Sequence, residues 1–250
     1  MKIDNKDYIF EKETKSLLET YKLGRFVKAE IKAKKLLKRY PGSALIFNFL
    51  GIVLSTQNKN DEAILNFKNA IKIKNDYLEA HDNLANALQT DGKVAEAIEI
   101  YKSILKIKPN YAQVYNNLGI ALFSIGKIDS AIVNFKNAFK IKPDYSEAYN
   151  NLGSALRSIR KFNKAIILYQ KAIKLNPNFF EAYHNLGKTL KDLNKIDEAI
   201  TQFQKSLKIK SDYAEAYNSW GNALISTGNF NEAIYKLKKA IDLKPNYLEA

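Results

Sequence analysis

Apolar residues recur along this chain at steps of three and four, the spacing of one face of a helix. Between residues 115 and 139 they run Tyr115, Leu118, Leu122, then Ala131, Ile132, Phe135, Ala138 and Phe139. The two groups are separated at Gly126, a residue type that tolerates the left-handed conformation ending a helix. Gly92, Gly228, Asn58 and Asn194 stand at the same phase elsewhere. Each stretch of this kind predicts a helical hairpin.

The hairpin repeats. Pro41, Pro109, Pro143, Pro177 and Pro245 are separated by multiples of 34 residues, a regularity that unrelated segments do not produce. In that frame Gly51, Gly119, Gly153, Gly187 and Gly221 share one phase, and Gly24, Gly92, Gly126 and Gly228 share another. Proline ends each second helix. The predicted organisation is an N-terminal extension (1–9), a degenerate first repeat (10–43) and six repeats at 44–77, 78–111, 112–145, 146–179, 180–213 and 214–247. Residues 248–250 read as the start of a further, truncated repeat. At each restart the pattern predicts a capping box: Asp76 with Glu79, Asn110 with Gln113, Asp144 with Glu147, Asn178 with Glu181, Asp212 with Glu215 and Asn246 with Glu249. On that reading the acids are structural and not catalytic. The fold class is all-α, a solenoid of antiparallel helical hairpins in which neighbours bury one another's apolar faces.

Composition narrows the function. Cysteine is absent, which removes disulfides, thiolate nucleophiles and the commonest zinc sites. His81 and His184 lie in different repeats without clustered acids, and the Gly92-Lys93 and Gly126-Lys127 pairs lack the rest of a phosphate-binding loop. Neither a catalytic residue, a cofactor nor a metal site is expected, and the chain is not read as an enzyme. No apolar run approaches the roughly 20 residues that span a bilayer, and the segment from Met1 to Gly24 is charged throughout, so a soluble, cytoplasmic protein is expected. The formal charge of +14 raises nucleic acid as a partner, but the excess is almost all lysine, with arginine only at Arg25, Arg39, Arg157 and Arg160. Lysines solvating helix surfaces account for it, and nucleic acid is not the expected partner.

The residues Tyr115, Leu118, Gly119, Leu122, Ala131, Phe135, Ala138 and Pro143, and again Tyr149, Leu152, Gly153, Leu156, Ala165, Tyr169, Ala172 and Pro177, resemble the signature of the tetratricopeptide repeat family. Departures occur at Ala85, Ile104, Ser206, Asn75 and Ser211. The resemblance implies a right-handed superhelix whose first helices line a concave groove holding partner peptides. Tyr77, Tyr111, Tyr145, Phe179, Tyr213 and Tyr247 are expected to fill the joints between repeats in preference to forming a base-stacking platform.

Immediately before the Leu-Gly pair, or Leu-Ala in the first case, stand Asn83, Asn117, Asn151 and Asn185, the same amide at the same phase in successive repeats. A carboxamide donates and accepts, so such a ladder could hold an extended backbone regardless of its side chains. An Asn at this phase could equally bond a neighbouring hairpin or solvent. At about 1 kcal/mol per net hydrogen bond the ladder alone binds weakly, and discrimination would come from groove neighbours such as Asn86, Phe123, Arg157, Lys188, Lys191 and Asn222. The ladder also resembles the substrate-recruiting arm of O-linked N-acetylglucosamine transferases. The chaperone-tail clamp of the family needs Lys and Arg at two groove phases, which here hold Asp82, Asn116, Asn150, His184 and Asn218, then Asn86, Ile120, Ser154, Lys188 and Asn222. Capture of an acidic chaperone tail is therefore disfavoured.

The expected function is a protein-interaction scaffold binding an extended peptide segment in its groove, with a protein or peptide as partner. The alternative is the substrate-recruiting arm of a larger enzyme, a glycosyltransferase being first choice, whose catalytic domain is not in this chain. The last hairpin is expected to be uncapped, leaving a C-terminal face open to self-association.

Overall fold

The computed structural model describes residues 5–245, and helix follows helix with no strand among them. Contacts divide the chain into two compact units that meet in sequence between Asn110 and Tyr111. The first contains the hairpins α1 (Asn5–Lys22) with α2 (Phe26–Arg39), α3 (Ala44–Ser55) with α4 (Asn60–Ile73) and α5 (Leu78–Thr90) with α6 (Val94–Ile107). The second contains α7 (Ala112–Ser124) with α8 (Ile128–Ile141), α9 (Ser146–Ser158) with α10 (Phe162–Leu175), α11 (Phe180–Asp192) with α12 (Ile196–Ile209) and α13 (Ala214–Ser226) with α14 (Phe230–Leu243). The chain is thus an all-α helical repeat.

Small residues set the distance between paired helices. A Cβ added to Gly119 would stand 2.6 Å from the Phe135 ring, and one added to Gly187 would stand 2.6 Å from Phe203. The glycine lets the ring of the second helix lie directly on the backbone of the first, where Phe135 and Phe203 are fully buried. Burial of one such ring is worth about 2–3 kcal/mol. Where Ala85 takes this phase, α5 and α6 touch less extensively than α3 and α4, and Tyr101 is the ring beneath it.

Neighbouring hairpins pack chiefly second helix on next first helix, as α2 on α3, α4 on α5, α8 on α9, α10 on α11 and α12 on α13, and their first helices also touch. In the first unit α3 reaches α5; in the second, α7 reaches α9, α9 reaches α11 and α11 reaches α13. No comparably close contact joins successive second helices among the described residues. The first helices therefore form the inner face of each unit.

Three details add to the sequence reading or depart from it. The first helix begins at Asn5, so residues 5–9 of the N-terminal extension belong to it. The N-caps of α5, α7, α9, α11 and α13 are Tyr77, Tyr111, Tyr145, Phe179 and Tyr213, whose side chains make no cap hydrogen bond. The expected capping boxes are therefore not formed at these N-caps, because Asp76, Asn110, Asp144, Asn178 and Asp212 belong to the inter-helix turns and the N-cap falls one residue later. Glu79, Glu147, Glu181 and Glu215 still fall in a first turn, where the helix dipole favours them. Finally, the hairpin turn of α9 and α10 places Arg160 at φ +58, a left-handed conformation that Gly126 adopts at φ +75 without steric cost. The expected pair Asn246 and Glu249, the joint residue Tyr247, the truncated repeat at 248–250 and the face they would leave uncapped lie outside the described residues.

Candidate peptide-binding surface

Side-by-side packing of first helices brings together residues that are 35 apart, one repeat plus one. In the first unit the buried Asn48 donates its Nδ2 to the Tyr77 hydroxyl at 3.3 Å and accepts on Oδ1 from Asn83 Nδ2 at 3.0 Å. In the second, Asn151 donates to Asn116 Oδ1 and Asn185 donates to Asn150 Oδ1, both at 3.0 Å. His184 takes the same place at the next junction, with Nε2 2.9 Å from Ser219 Oγ and Nδ1 3.2 Å from the Tyr213 hydroxyl. An imidazole there presents two polar atoms to the same two neighbours that an asparagine amide would meet. At the α9–α11 junction the joint residue is Phe179, which offers no hydroxyl, and Asn150 Nδ2 turns to Asn151 Oδ1 at 3.5 Å.

Asn83, Asn151 and Asn185 are half-buried, and each commits an amide hydrogen to the preceding first helix. Asn117 occupies the same phase on α7, also half-buried. The bond to a neighbouring hairpin is therefore present, but it does not consume a group with two N–H donors and two acceptor lone pairs.

Two clefts gather the other expected residues. In the first unit Asn83 and Asn86 line a cleft of about 220 Å³ with Thr56, Asn60 and Thr90. Asn86 Oδ1 accepts from the hydroxyl of the fully buried Tyr101 at 2.6 Å, and burial pushes that phenol well up from its ordinary value. In the second unit Arg157 of α9, Lys188 and Lys191 of α11 and Asn222 of α13 line a cleft of about 320 Å³. Asn151 and Asn185 are not among its lining residues. Phe123 is half-buried on α7.

The second cleft also contains groups that motifs do not single out. Arg157 Nε donates to Asp192 Oδ2 at 2.7 Å, again across 35 residues. His184 lies in the cleft wall, 6% exposed, and its pKa is lowered to about 4. Burial is the main cause; the nearby Lys188 and Arg157 add to it, and Glu215 opposes it. Burial alone would raise Glu215, but its own backbone amide and Lys244, 3.2 Å away, hold its carboxyl below the ordinary value. The spacing of 35 is the signal in the sequence that points to these groups: it links Arg157 to Asp192 and His184 to Ser219, as it links the asparagines.

Among the described residues no group of three His, Cys, Asp or Glu could hold a metal ion, and no helix is long and apolar enough to cross a membrane.

The chain is similar to solved helical-repeat structures. A chain of the APC/C hetero-tetramer Cut9–Hcn1 matches with a TM-score of 0.82 at 20% identity, over 93% of this chain and 46% of that one, so the protein spans about half the length of that relative. MamA matches at 32% identity over 67% of this chain and 98% of its own, with a TM-score of 0.56. YrrB, a TPR protein described as having an unusual peptide-binding site, matches at 24% identity over 73% of this chain and 94% of its own, with a TM-score of 0.53. No curated protein sequence matches. Tetratricopeptide repeat family models match residues 146–179 and 168–201, and TPR repeat models match 51–92, 90–126, 121–158, 187–224 and 221–250. With family models matching throughout residues 51–250, the chain belongs to the tetratricopeptide repeat family.

Proposed function

We propose that this protein-interaction scaffold holds an extended polypeptide segment along the first helices of its second unit, with Asn151 and Asn185 pairing to the segment's backbone. The observation that carries the reading is the repeated rung. Both amides donate at 3.0 Å to the helix before them, so their rotamers are set before any partner arrives. A pre-set side chain loses little conformational freedom on binding, which removes one of the main costs of capturing a flexible segment. The remaining N–H and acceptor capacity of each amide suits the alternating polar groups of an extended backbone. Asn83 with Asn86 offers a smaller version of the same surface in the first unit.

The test must separate binding from folding, because removing either asparagine also removes a rung. Serine at this phase satisfies its junction naturally, as Ser219 does beside His184. The double variant Asn151→Ser/Asn185→Ser is therefore expected to keep its helicity and melting temperature while losing affinity for peptides selected on the parent chain. At about 1 kcal/mol per hydrogen bond, the two losses together weaken binding about thirtyfold. Unchanged affinity in a folded double variant would show that the ladder serves the junctions alone.

A further inference from the structure

The lysines of the second unit are not spread evenly over it. The second helices α8 and α12 open on the acids Asp129 and Asp197, whereas the last two turns of α8, α10 and α12 contain lysines and no acid. In the last turn stand Lys140, Lys174 and Lys208, one repeat apart. One turn earlier stand Lys136, Lys171 and Lys205. All six are exposed, and none forms an ion pair among the described residues.

A cation in the last turn complements the helix dipole, which accounts for Lys140, Lys174 and Lys208. The effect fades beyond that turn, so it does not account for the earlier three, nor for the apolar residues beside them. At steps of three and four from these lysines, on the same outward stripe, α8 exposes Val133 and α10 exposes Ile167, to 55% and 64%. On α14 the same phase is Tyr235, followed by Lys238 and Lys239, although Asp242 there ends the lysine row; on α12 it is Thr201. In the first unit this phase again exposes Ile31 and Leu65, and the last-turn phase again reads Lys38, Lys72 and Lys106.

We propose that the outer face of the second helices in the second unit is a docking surface for an anionic lipid bilayer, bound peripherally. α8 and α10 each offer the interface one apolar side chain and two lysines, whose stems lie along apolar surface while their amines reach charged headgroups. Such binding needs no spanning helix. Two observations favour a bilayer over nucleic acid. The last two turns of α8, α10 and α12 hold no arginine, the residue whose planar fork pairs with phosphate bidentately. Val133 and Ile167 gain nothing from a phosphate backbone, whereas a bilayer interface removes them from water. The first helices lie on the other side of each hairpin, so docking leaves the groove free, and the inference does not rest on the groove reading above.

The experiment is sedimentation of the full chain with vesicles of phosphatidylcholine mixed with phosphatidylserine, against vesicles of phosphatidylcholine alone. Binding is expected to the mixed vesicles and not to the neutral ones. The variant Lys136→Gln/Lys171→Gln/Lys205→Gln removes only lysines that have no dipole role, so it should keep its helicity and melting temperature. At about fivefold per lysine it should bind the mixed vesicles on the order of a hundredfold more weakly. Val133→Ser/Ile167→Ser should weaken the same binding about tenfold, which charge alone does not explain. A parent chain that ignores the mixed vesicles, or binds both kinds equally, would overturn the inference. Full binding by the folded lysine variant would overturn the choice of surface. Tighter binding of the parent to a double-stranded oligonucleotide than to the mixed vesicles, with Val133→Ser/Ile167→Ser unimpaired on both, would overturn the bilayer in favour of nucleic acid.

Discussion

His184 Nε2 lies 2.9 Å from Ser219 Oγ, at the junction phase where Asn48 meets Asn83 and Asn150 meets Asn185. The substitution of imidazole for carboxamide introduces a titratable group where Asn116 and Asn150 present amides. In the folded chain His184 stays neutral down to about 4, whereas the ordinary value is 6.5. Below 6.5 the unfolded state takes up the proton first, so stability of the second unit falls as the pH drops from 6.5 towards about 4. The gap corresponds to about 3 kcal/mol at full depth. Denaturant titrations across that window should show the decline in the parent and its disappearance in His184→Asn, which restores the residue found at 116 and 150.

Phe179 stands where Tyr77 and Tyr213 place a hydroxyl on the junction residue of the first helix of their own repeat. Phe179→Tyr should supply an acceptor to Asn150 Nδ2, now turned to Asn151 at 3.5 Å, and stabilise the second unit by about 1 kcal/mol. Comparison of denaturation midpoints at neutral pH checks it; a lowered midpoint would mean that the joint has no room for the oxygen.

Arg160 occupies a left-handed turn at φ +58 that the equivalent residue Gly126 adopts freely. Arg160→Gly should raise stability by about 1 kcal/mol, even though it gives up the contact of the guanidinium with Phe162, 5.9 Å from the ring centroid. Thermal melts of the two chains decide it, and a fall in melting temperature would give the ring contact the larger share.

Gly119 admits the Phe135 ring to within van der Waals distance of its backbone. Gly119→Ala gains up to about 1 kcal/mol of helix propensity, yet it forces the ring or the helix to move, at a cost of about 1–3 kcal/mol. The expected net effect is destabilisation, with the double variant Gly119→Ala/Phe135→Ala no worse than Phe135→Ala alone when both are measured by chemical denaturation; leucine would not serve, since Leu237 crowds a Cβ on Gly221 at 2.7 Å.

The helical hairpins are legible in the sequence because proline and glycine act locally: Pro143 stops a helix wherever the chain goes next, and Gly126 turns it. The junctions are not legible in the same way. Whether Asn151 meets Asn116, Asn117 or Leu118 depends on how two first helices slide along each other, and the structure places Leu118 in the core and Asn116 opposite Asn151. The amides can be seen as a ladder, but their bond to the previous helix requires the register. Arg160 gives no sign of its unusual φ by residue type, and only its place in the 34-residue frame, at the phase of Gly126 and Asn194, points to it. His184 reads in sequence as a poor metal ligand, and its position becomes informative only once α13 supplies Glu215 and Ser219. The capping pattern is off by a single residue, since an Asp in a turn and an Asp at an N-cap look alike in a sequence.

Because junction partners lie 35 residues apart within a period of 34, the chain can change length only by whole repeats. Removing residues 146–179 would bring Asn185 opposite Asn116, the residue that Asn151 faces now, so the new seam would be spelled with the same two letters as the old. Repeats of this unit are interchangeable words: a duplication or excision in frame preserves the junctions without any compensating change, whereas a shift of one residue would unpair them.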